Sequence, residues 1–532
     1  MGCKTKLLLP ILFITGCTFS LSAQNSIYQN HSYRPFDRYV YNSENRFHTS
    51  IKPYNMQEVN KIVSLDTLYV FETKNKWVDK IMNKSILSKK TENYSITVRP
   101  ACDFEISKQI GDTTSGWVNT RGFVIDGNIT NKVFFKTSFY ESQSRLFDYR
   151  RDRINELGRV VPGTGFAKPF GEHRDGLDYA FSDAYVMYTP SKFFDFQLGH
   201  GKHFIGDGYR SLLLSDNSFN YPYFKLGANV GNLKYITMWS QHAYWPDGWQ
   251  GNERHDIKWN VMHYLDWAIT DWLTIGLFET IIWADQDSVN GNRGFEWQYL
   301  NPVIFFRPVE FSIGSPDNVL MGATGKITLW KKHIFYGQVV IDEFNVQEFK
   351  KRSAWWGSKY GLQAGYKTHD VGGIENLDFQ TEVNYVRPFM YSHFHEGQNY
   401  GHYNQPLAHP MGSNFVESVT FLRYSYKRFF AEAKFTYALH GQDTTDVSFG
   451  NDIFKLYTTR TQEYGHKITQ LNVQNTVIYA DLRLSYMINP RNNLNVSVGV
   501  TNRHQKSAIA ESNELMWYFG LRTTLNNHYY DF

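Results

Sequence analysis

The chain has 532 residues, of which 17 % are aromatic and 20 % are charged, and its formal net charge is +4. Its mean hydropathy is −0.46, and after residue 21 no run approaches the roughly 20 apolar residues that a membrane-spanning helix needs. The charges form no polybasic tract, which argues against nucleic acid as a partner. Aromatic residues throughout a chain that is polar on average are typical of an outer-membrane β-barrel. A soluble all-β protein is the alternative that this composition leaves open.

Residues 1–23 are predicted to be a secretory signal peptide. Two lysines precede a mostly apolar stretch, Leu7 to Leu21, and Ser22-Ala23-Gln24 supplies small residues for cleavage. An alternative site, Ile14-Thr15-Gly16-Cys17, resembles a lipobox, and cleavage there would leave Cys17 as a lipidated N-terminus. Cleavage after Ala23 leaves Cys102 as the one cysteine, so we expect no intramolecular disulfide and no cysteine-based metal site.

Residues 24–92 are predicted to form a small N-terminal periplasmic subdomain with at least one helix. The pattern is irregular, but Trp77, Val78, Ile81, Met82 and Ile86 recur at helical spacing. The aromatic and aliphatic residues between Leu65 and Trp77 argue against a disordered leader.

Residues 93–532 are predicted to form an all-β domain, a transmembrane antiparallel β-barrel of the cell outer membrane. Eight short connections separate runs of alternating apolar and polar residues. They lie at Thr130-Asn131, Thr189 to Lys192, Gly231-Asn232, Ile269 to Trp272, Trp330 to His333, Thr368 to Asn376, Tyr426 to Arg428 and Asn489 to Asn493. Each connection joins two strands. One more strand at each end, near Tyr94 to Cys102 and Leu515 to Asn527, brings the total to about 18, an even number as in bacterial single-chain barrels.

The alternation of apolar and polar residues is clearest in the C-terminal part. Ala480, Leu482, Leu484 and Tyr486 oppose Tyr479, Asp481, Arg483 and Ser485, while Phe429, Ala431, Ala433, Phe435 and Tyr437 oppose Glu432, Lys434 and Thr436. A period of two directs the first set of each strand toward lipid and the second toward a polar lumen. The chain ends Asn527-His528-Tyr529-Tyr530-Asp531-Phe532, which we interpret as an aromatic strand closed by Phe532. This ending resembles the signal by which the barrel assembly machinery recognises outer-membrane barrels.

Short turns of such barrels face the periplasm and long loops face the cell exterior. The predicted outward loops are Ser142 to Asp178, Gly201 to Pro222, His242 to His255, Ala284 to Asp317, Asn345 to Gly357, Phe389 to Asn414, Ala438 to Thr469 and Asn502 to Asn513. Binding residues are therefore sought in these loops.

The loop Gly201 to Lys225 carries the first candidate residues. Asp207, Tyr209, Arg210, Asp216 and Asn217 lie among glycines and serines, and the loop lacks the G-x-x-x-x-G-K-[ST] pattern of a phosphate-binding loop. We expect Asp–Arg pairing to order the loop at the mouth of the lumen. Ligand contact is a second role for these side chains.

Aromatic and histidine residues in other outward loops are the remaining candidates. Trp245, Trp249, Trp355 and Trp356 lie among carboxylates and amides, which suits sugars, although an interfacial aromatic girdle explains single tryptophans equally well. His393, His395, His402 and His409 lie in one outward loop and suggest zinc. A zinc site needs three or four converging ligands, however, and a hydrogen-bonded polar loop is the preferred interpretation. We therefore predict no metal and no cofactor. No G-x-S-x-G elbow or other nucleophile motif occurs, so an enzyme is not expected.

A family resemblance follows from residues 201–217, written GKHFIGDGYRSLLLSDN. This run resembles the hallmark of the capsule assembly protein Wzi family, and in particular the Bacteroidota members labelled gliding-motility RemB-like. Supporting stretches are FHTSIKPY at 47–54, SPDN at 315–318, YGQ at 336–338, IDEF at 341–344 and QPLAHP at 405–410. The resemblance spans nearly the whole mature chain.

The resemblance implies a barrel of about 18 strands with a small helical part at the periplasmic end. It also implies a lectin-like role in holding capsular polysaccharide, and for the Bacteroidota relatives an association with gliding. The leading hypothesis is a non-enzymatic barrel that contacts membrane lipid and binds or organises surface polysaccharide, with gliding or secretion machinery as further partners. The alternatives are a diffusion porin or transporter and an outer-membrane hydrolase.

Overall fold

The structure is a computed structural model that describes most of the chain. It covers residues 36–42, 44, 46–63, 69, 71–111, 115–245, 255–287, 291–444, 446–469, 473–508, 510–523 and 527–532. The predicted signal peptide, the lipobox and Trp249 lie outside these residues. None of the described helices is long and apolar enough to cross a membrane.

Eighteen antiparallel strands close into a barrel within the described ranges. They are β1 Tyr94–Gln109, β2 Ser115–Ile129, β3 Val133–Arg145, β4 Gly176–Tyr188, β5 Phe194–Gly201, β6 Tyr221–Val230, β7 Leu233–Tyr244, β8 Asp256–Ala268, β9 Leu273–Ala284, β10 Asn318–Leu329, β11 His333–Ile341, β12 Tyr360–Thr368, β13 Leu377–Val386, β14 Phe415–Tyr426, β15 Phe429–Gln442, β16 Val473–Asn489, β17 Leu494–Ser507 and β18 Glu511–Arg522. Consecutive strands are neighbours, and β18 closes the wall by pairing with β1, from Met516 opposite Gln109 to Arg522 opposite Asp103. The predicted fold class is confirmed.

Short connections and long loops alternate as predicted. All eight predicted turns join strands that pair as hairpins, from β2–β3 to β16–β17. One predicted long loop is wrong: β17 continues to Ser507 and β18 begins at Glu511, so Asn502 to Asn513 is mostly strand. In outer-membrane barrels the turn end faces the periplasm and the loop end faces the exterior, and this orientation stays a prediction for this chain.

The wall has an apolar exterior and a charged interior. Leu482 and Leu484 of β16 are largely exposed on the outside, whereas Arg483 between them pairs with Glu432 of β15 inside, 2.5 Å away. Trp272 and Trp330 are exposed at the turn end, where aromatic rings favour the membrane interface. Charged residues are tolerated on the inner phase because each can find a partner there.

The C-terminal segment corrects one prediction. The last strand ends at Arg522, and Asn527–Phe532 is not a strand but lies inside the barrel. The carboxylate of Asp531 lies 2.9 Å from the Arg210 guanidinium and 2.5 Å from the Lys434 ammonium. A strand ending in this sequence would carry Asp531 away from these two buried cations, and burial of unpaired charge is costly. We call residues 527–532 the tail.

The described part of the N-terminal region enters the lumen from the turn end. Ile51–Lys52 pairs with Phe204–Ile205, and Glu58 of the helix Met56–Asn60 bonds Lys234 of β7 at 3.0 Å. A second helix, Lys76–Asn83, lies where the sequence predicts helical spacing and is capped by Asn75. Its Asn83 side chain accepts a bond from Arg428 beside the β14–β15 turn, at 2.7 Å.

The loops contain the other short elements. Helices span Asp148–Glu156, Phe306–Ile313 and Val346–Lys351, and single 3-10 turns span Trp297–Leu300, Val371–Gly373, Glu396–Gln398 and Tyr457–Thr459. Short strand pairs are Gln286–Asp287 with Gly291–Asn292 and Gly401–His402 with Gln405–Pro406, while Leu87–Lys90 pairs antiparallel with β1 and Lys168–Phe170 pairs antiparallel with β4.

Candidate functional site

The connection between β5 and β6, residues 202–220, folds into the lumen; we call it the inner loop. Its strand Phe204–Ile205 pairs with the N-terminal region, and the backbone N–H of Ile205 donates to the carbonyl of Leu214 at 2.9 Å. Leu212, Leu213 and Leu214 are fully buried. Glycines allow the chain to pass close to the wall, since a Cβ at Gly208 would lie 2.7 Å from the Glu382 carboxylate.

Arg210 is the centre of a buried ionic network. Its guanidinium lies 2.7 Å from Glu417 of β14 and 2.9 Å from Asp531 of the tail, and the three residues are 1 %, 0 % and 0 % exposed. His409 binds the other oxygen of Glu417 at 2.7 Å. The expected Asp–Arg pairing exists, but it joins Arg210 to Asp531 rather than to a carboxylate of its own loop.

The charges of this network lower the pKa of Asp531 in the tail. Burial alone would raise the pKa of Asp531, but the positive charges of Arg210 and Lys434 outweigh burial and hold that pKa below its usual value. Asp531 is therefore ionised at neutral pH. The ion pairs join the inner loop, the wall and the C-terminus at a single point.

Asp207 connects the inner loop to the N-terminal region. Its carboxylate accepts bonds from the hydroxyls of Thr49 at 2.5 Å and Tyr41 at 2.9 Å. Burial would raise the pKa of Asp207, but Lys326 and Lys52 lower it further than burial raises it. The Lys52 ammonium donates to the carbonyl of Gly206 at 2.7 Å. All of these groups are buried within the lumen.

Asp216 and Asn217 connect the inner loop to the tail and to the β13–β14 loop. Asp216 accepts bonds from the Tyr529 hydroxyl at 2.6 Å and from the Asn527 amide at 2.8 Å. The Asn217 amide donates to the carbonyl of Pro406 at 3.1 Å. Burial raises the pKa of the Asp216 carboxyl. Asp216 and Asn217 are therefore buried on the inner side of the mouth.

Asp207, Tyr209, Arg210, Asp216 and Asn217 are thus structural groups of the lumen. All five are buried, and each of their side chains bonds or packs against another part of the chain. The backbone N–H groups of Tyr209 and Arg210 donate to Glu382 at 2.7 and 2.9 Å. The inner loop, the N-terminal region and the tail together fill the barrel at this level.

Trp355, Trp356 and His393 come together at the outer end of the barrel. The cluster around Trp356 consists of Trp355, Trp356, His393, Phe394, Tyr457 and Arg460, from three different loops; we call it the Trp356 cluster. The Trp356 ring lies 5.6 Å from Trp355 and 4.6 Å from Tyr457, centroid to centroid, and the Arg460 guanidinium stacks 3.9 Å from the same ring.

Polar groups surround the rings of this cluster. The Trp356 indole N–H donates to Glu463 at 2.7 Å, and the Lys359 ammonium lies 4.4 Å from the Tyr457 centroid. Burial lowers the pKa of His393 to about 3, with Lys359 and His395 acting in the same direction. His393 is therefore neutral, and its Nδ1 accepts the backbone N–H of His395 at 3.4 Å.

Trp245 lies apart from the Trp356 cluster. Its ring is 6.1 Å from Tyr403, which is also 5.2 Å from His255. The structure therefore divides the three described tryptophans of the prediction between two places at the loop end. Among the described residues, no group of three His, Cys, Asp or Glu side chains is arranged to hold a metal ion.

A polar cavity of about 170 Å³ lies beside the tail. Four carboxylates and five cations line it, namely Asp103, Glu105, Glu432, Asp481, Arg150, Arg423, Lys434, Arg483 and Arg522. Several of them are paired, as Arg423 is with Glu432 at 2.7 Å. The lumen therefore contains a charged cavity next to the part that the inner loop, the N-terminal region and the tail fill.

Sequence reasoning missed several residues, both around the Trp356 cluster and around the inner loop. Tyr457, Arg460 and Glu463 come from the β15–β16 loop, and no sequence signal relates that loop to Trp356. Glu382 and Glu417 could have been found, because both lie on the inner phase of predicted strands, where a charge requires a partner.

Comparison with known proteins identifies the fold. No protein-family model and no curated protein matches this chain. Among solved structures, Wzi of Escherichia coli, described as an outer-membrane carbohydrate-binding β-barrel involved in group 1 capsule assembly, is similar with a TM-score of 0.55 and 13 % identity over 94 % of this chain and 99 % of Wzi.

Two further solved structures align less well. OccAB2 of Acinetobacter baumannii has a TM-score of 0.42 at 10 % identity, covering 80 % of this chain and 97 % of its own, and OprD of Pseudomonas aeruginosa has 0.41 at 11 % identity, covering 82 % and 98 %. These scores are too low to support an argument. The similarity to Wzi, the closed wall of 18 strands and the apolar exterior together identify the protein as an outer-membrane β-barrel.

Proposed function

We propose that this protein is a non-enzymatic barrel that binds or organises polysaccharide at the cell surface. The observation that carries the proposal is the convergence of three outward loops on Trp356. Sugars present C–H faces that pack on aromatic rings and hydroxyls that bond to charged groups. Trp355, Tyr457 and Phe394 supply ring surface, and Arg460 and Glu463 supply the polar groups.

The similarity of fold supports the same proposal. Wzi is described as carbohydrate binding and as taking part in capsule assembly, and the loop motif at 201–217 resembles that of its family. We extend the proposal to surface gliding on the basis of the resemblance to the RemB-like members from Bacteroidota. Deleting the gene should lower the amount of cell-bound polysaccharide or alter spreading, and a strain normal in both would contradict this role.

A glycan array tests the proposal most broadly. Purified protein in detergent should bind one class of surface or capsular polysaccharide above the signal of an unrelated barrel. Binding to none of the arrayed glycans, including polysaccharide from the same cells, would contradict it. Turnover of any bound glycan or of lipid would favour the hydrolase instead.

A diffusion porin or transporter is the second candidate. The charged cavity beside the tail favours it, because charged interior groups are common in pores. The inner loop, the N-terminal region and the tail argue against it, since their buried contacts fill the lumen. In planar bilayers we expect conductance well below that of an open barrel of this strand number, and steady open-channel currents would favour the porin.

A further inference from the structure

Part of the β9–β10 loop, residues 295–313, folds back over the outer wall of the barrel; we call it the strap. On β8 the even-numbered residues face the lumen, where Asp266 binds Ser50 at 2.7 Å, so the odd-numbered residues face outward. Val261 on β8, and Ile281 and Trp283 on the outward phase of β9, are nevertheless 0 % exposed. They pack with Tyr299, Phe306 and Val309 of the strap.

Polar contacts fix both ends of the strap and its middle. Arg293 and Asp317 form two parallel bonds of 2.6 and 2.9 Å, and the Tyr299 hydroxyl donates to the same carboxylate at 2.9 Å. The indole N–H of Trp239 on β7 donates to the carbonyl of Tyr299 at 3.2 Å, and the Tyr235 hydroxyl donates to the carbonyl of Pro302.

A row of polar side chains lies on the wall beneath the strap. Thr237, His263 and Glu279 are register partners across β7, β8 and β9 and all face outward. Glu279 accepts the backbone N–H groups of Phe306 at 3.1 Å and Arg307 at 3.3 Å. It thereby caps the helix Phe306–Ile313, whose own preceding residue Phe305 provides no side-chain cap.

This polar row would be costly on a bare membrane-facing wall. The remaining Glu279 oxygen, Nε2 of His263 and the Thr237 hydroxyl are buried without a hydrogen-bond partner among the described residues. Groups of this kind in contact with hydrocarbon destabilise a barrel. The strap separates them from the surroundings of the barrel.

The outer side of the strap is apolar. Val303, Phe305 and Phe311 are 72 %, 76 % and 74 % exposed. The strap has three charged residues: Glu296 near its start, which lies 3.6 Å from Arg293, and Arg307 and Glu310, which pair with each other at 2.6 Å. An apolar surface of this composition is unfavourable in water.

The height of the strap matches the membrane. Glu279 lies six residues above Leu273, the first residue of β9 at the turn end. At about 3.3 Å per residue and a tilt of about 40°, this is about 15 Å above the turn end, within an apolar band about 25 Å tall. Met321 of β10, the register partner of Glu279, is 44 % exposed on the outer wall at the same height.

We propose that the strap is embedded in the outer leaflet of the membrane and that Val303, Phe305 and Phe311 contact lipid acyl chains. The apolar surface of the strap continues the lipid-facing surface of Met321 and Leu277 beside it. The strap thus replaces part of the wall as the membrane contact and shields the polar row beneath it. The occupant of this surface is lipid, not a second protein.

Photocrosslinking from single positions tests the proposal. A benzophenone amino acid replaces Phe305 or Phe311 in the full chain, reconstituted in vesicles of palmitoyl-oleoyl phosphatidylcholine with radiolabelled acyl chains. Phe335, exposed on the wall strand β11, serves as the lipid-facing reference, and Tyr464, exposed in the β15–β16 loop, serves as the water-facing reference. All four side chains are at least 45 % exposed, so the replacements preserve the packing, and heat-dependent gel mobility confirms a folded barrel.

We expect lipid adducts at Phe305 and Phe311 within about twofold of Phe335, and at least tenfold above Tyr464. Yields at both strap positions as low as at Tyr464 would overturn the proposal. Crosslinks from the benzophenone to a second copy of the protein, instead of to a lipid, would also overturn it. The outcome is independent of polysaccharide binding.

Discussion

Arg210 joins three parts of the chain that lie far apart in sequence, namely the inner loop, β14 and the tail. The sequence predicted an Asp–Arg pair that orders the loop, and Arg210 does pair with an aspartate, Asp531, which lies outside that loop. The sequence did not reveal the partners, because Glu417 and Asp531 lie 207 and 321 residues away and only closure of the barrel brings them together. The buried position of Arg210 also separates it from the surface where a polysaccharide would bind.

Replacing Arg210 by Ala should strongly destabilise the inner loop and the tail. Removal of one partner leaves Glu417 and Asp531 as buried, under-compensated charges, a change that costs about 3–5 kcal/mol. Thermal unfolding followed by heat-dependent gel mobility measures the effect. Arg151→Ala is the matched control, because Arg151 forms a half-exposed pair with Asp148 that contributes about 0–1 kcal/mol. Equal melting temperatures for the two variants would contradict the role of Arg210.

His402 should make the β13–β14 loop sensitive to acid. Burial lowers the pKa of His402 to about 3, and its Nδ1 accepts the backbone N–H of Ala243 at 3.0 Å. Because this pKa lies below the unfolded value of about 6.5, the opened loop takes up the proton first as the pH falls. The free energy of opening should therefore fall by on the order of 2 kcal/mol between pH 7 and pH 5.

Hydrogen exchange of the peptide around His402, corrected for the intrinsic effect of pH, measures this change. In His402→Gln the difference between pH 7 and pH 5 should shrink, because an amide does not titrate. A wild-type loop with the same opening free energy at both pH values would show that His402 does not control it.

At the scale of elements, the strands and turns could be predicted because a period of two and Gly- or Asn-rich turns are local signals. Whether a loop folds into the lumen or extends outward could not be predicted, since an inner loop and an outward loop have similar compositions. The last wall strand was predicted correctly, whereas the ending Asn527–Phe532 was wrongly predicted to be a strand, because an aromatic ending also suits a tail that packs in the lumen. One signal in the sequence could have predicted the strap: the polar residues Glu279 and His263 lie on the lipid-facing phase of their strands and therefore require a cover.

Glu279→Ala should release the helix Phe306–Ile313 from the wall. Loss of a charged acceptor for two backbone N–H groups costs about 1–2 kcal/mol, equivalent to a factor of 5–30 in the opening equilibrium. Hydrogen exchange of residues 297–313 should accelerate accordingly. Glu279→Gln keeps a carbonyl acceptor and should exchange more slowly than the alanine variant; identical exchange in the wild type and the alanine variant would contradict the capping.

Deleting Asn527–Phe532 separates the two roles considered for the tail. The barrel wall ends at Arg522, so we expect the shortened chain to assemble, with increased conductance because Asp531 and Tyr529 no longer pack against the inner loop. Heat-dependent mobility and planar-bilayer recordings report these two properties. Failure of the shortened chain to assemble in membranes would instead support the prediction that the assembly machinery recognises Phe532.

For the whole molecule, composition and turn spacing sufficed to predict a barrel of 18 strands, and the structure adds how its lumen is filled. The candidate binding surface was only partly predictable: Trp355, Trp356 and His393 were proposed from sequence, whereas their partners Tyr457 and Arg460 belong to a loop brought to them by closure of the barrel. The inner loop, the motif that carries the family resemblance, is a closure of the lumen, and the outward surface above it is the candidate for polysaccharide contact.

Titration of the purified barrel with polysaccharide prepared from the same cells tests the central claim most directly. The wild type should bind, and Trp355→Ala should bind about two- to tenfold more weakly, since loss of one stacking ring costs about 0.5–1.5 kcal/mol. Phe349→Ala is the control, because Phe349 is an exposed aromatic of the same loop that packs on Phe344 outside the Trp356 cluster; it should bind like the wild type. Absence of binding by the wild type, or equal losses in the two variants, would contradict the account.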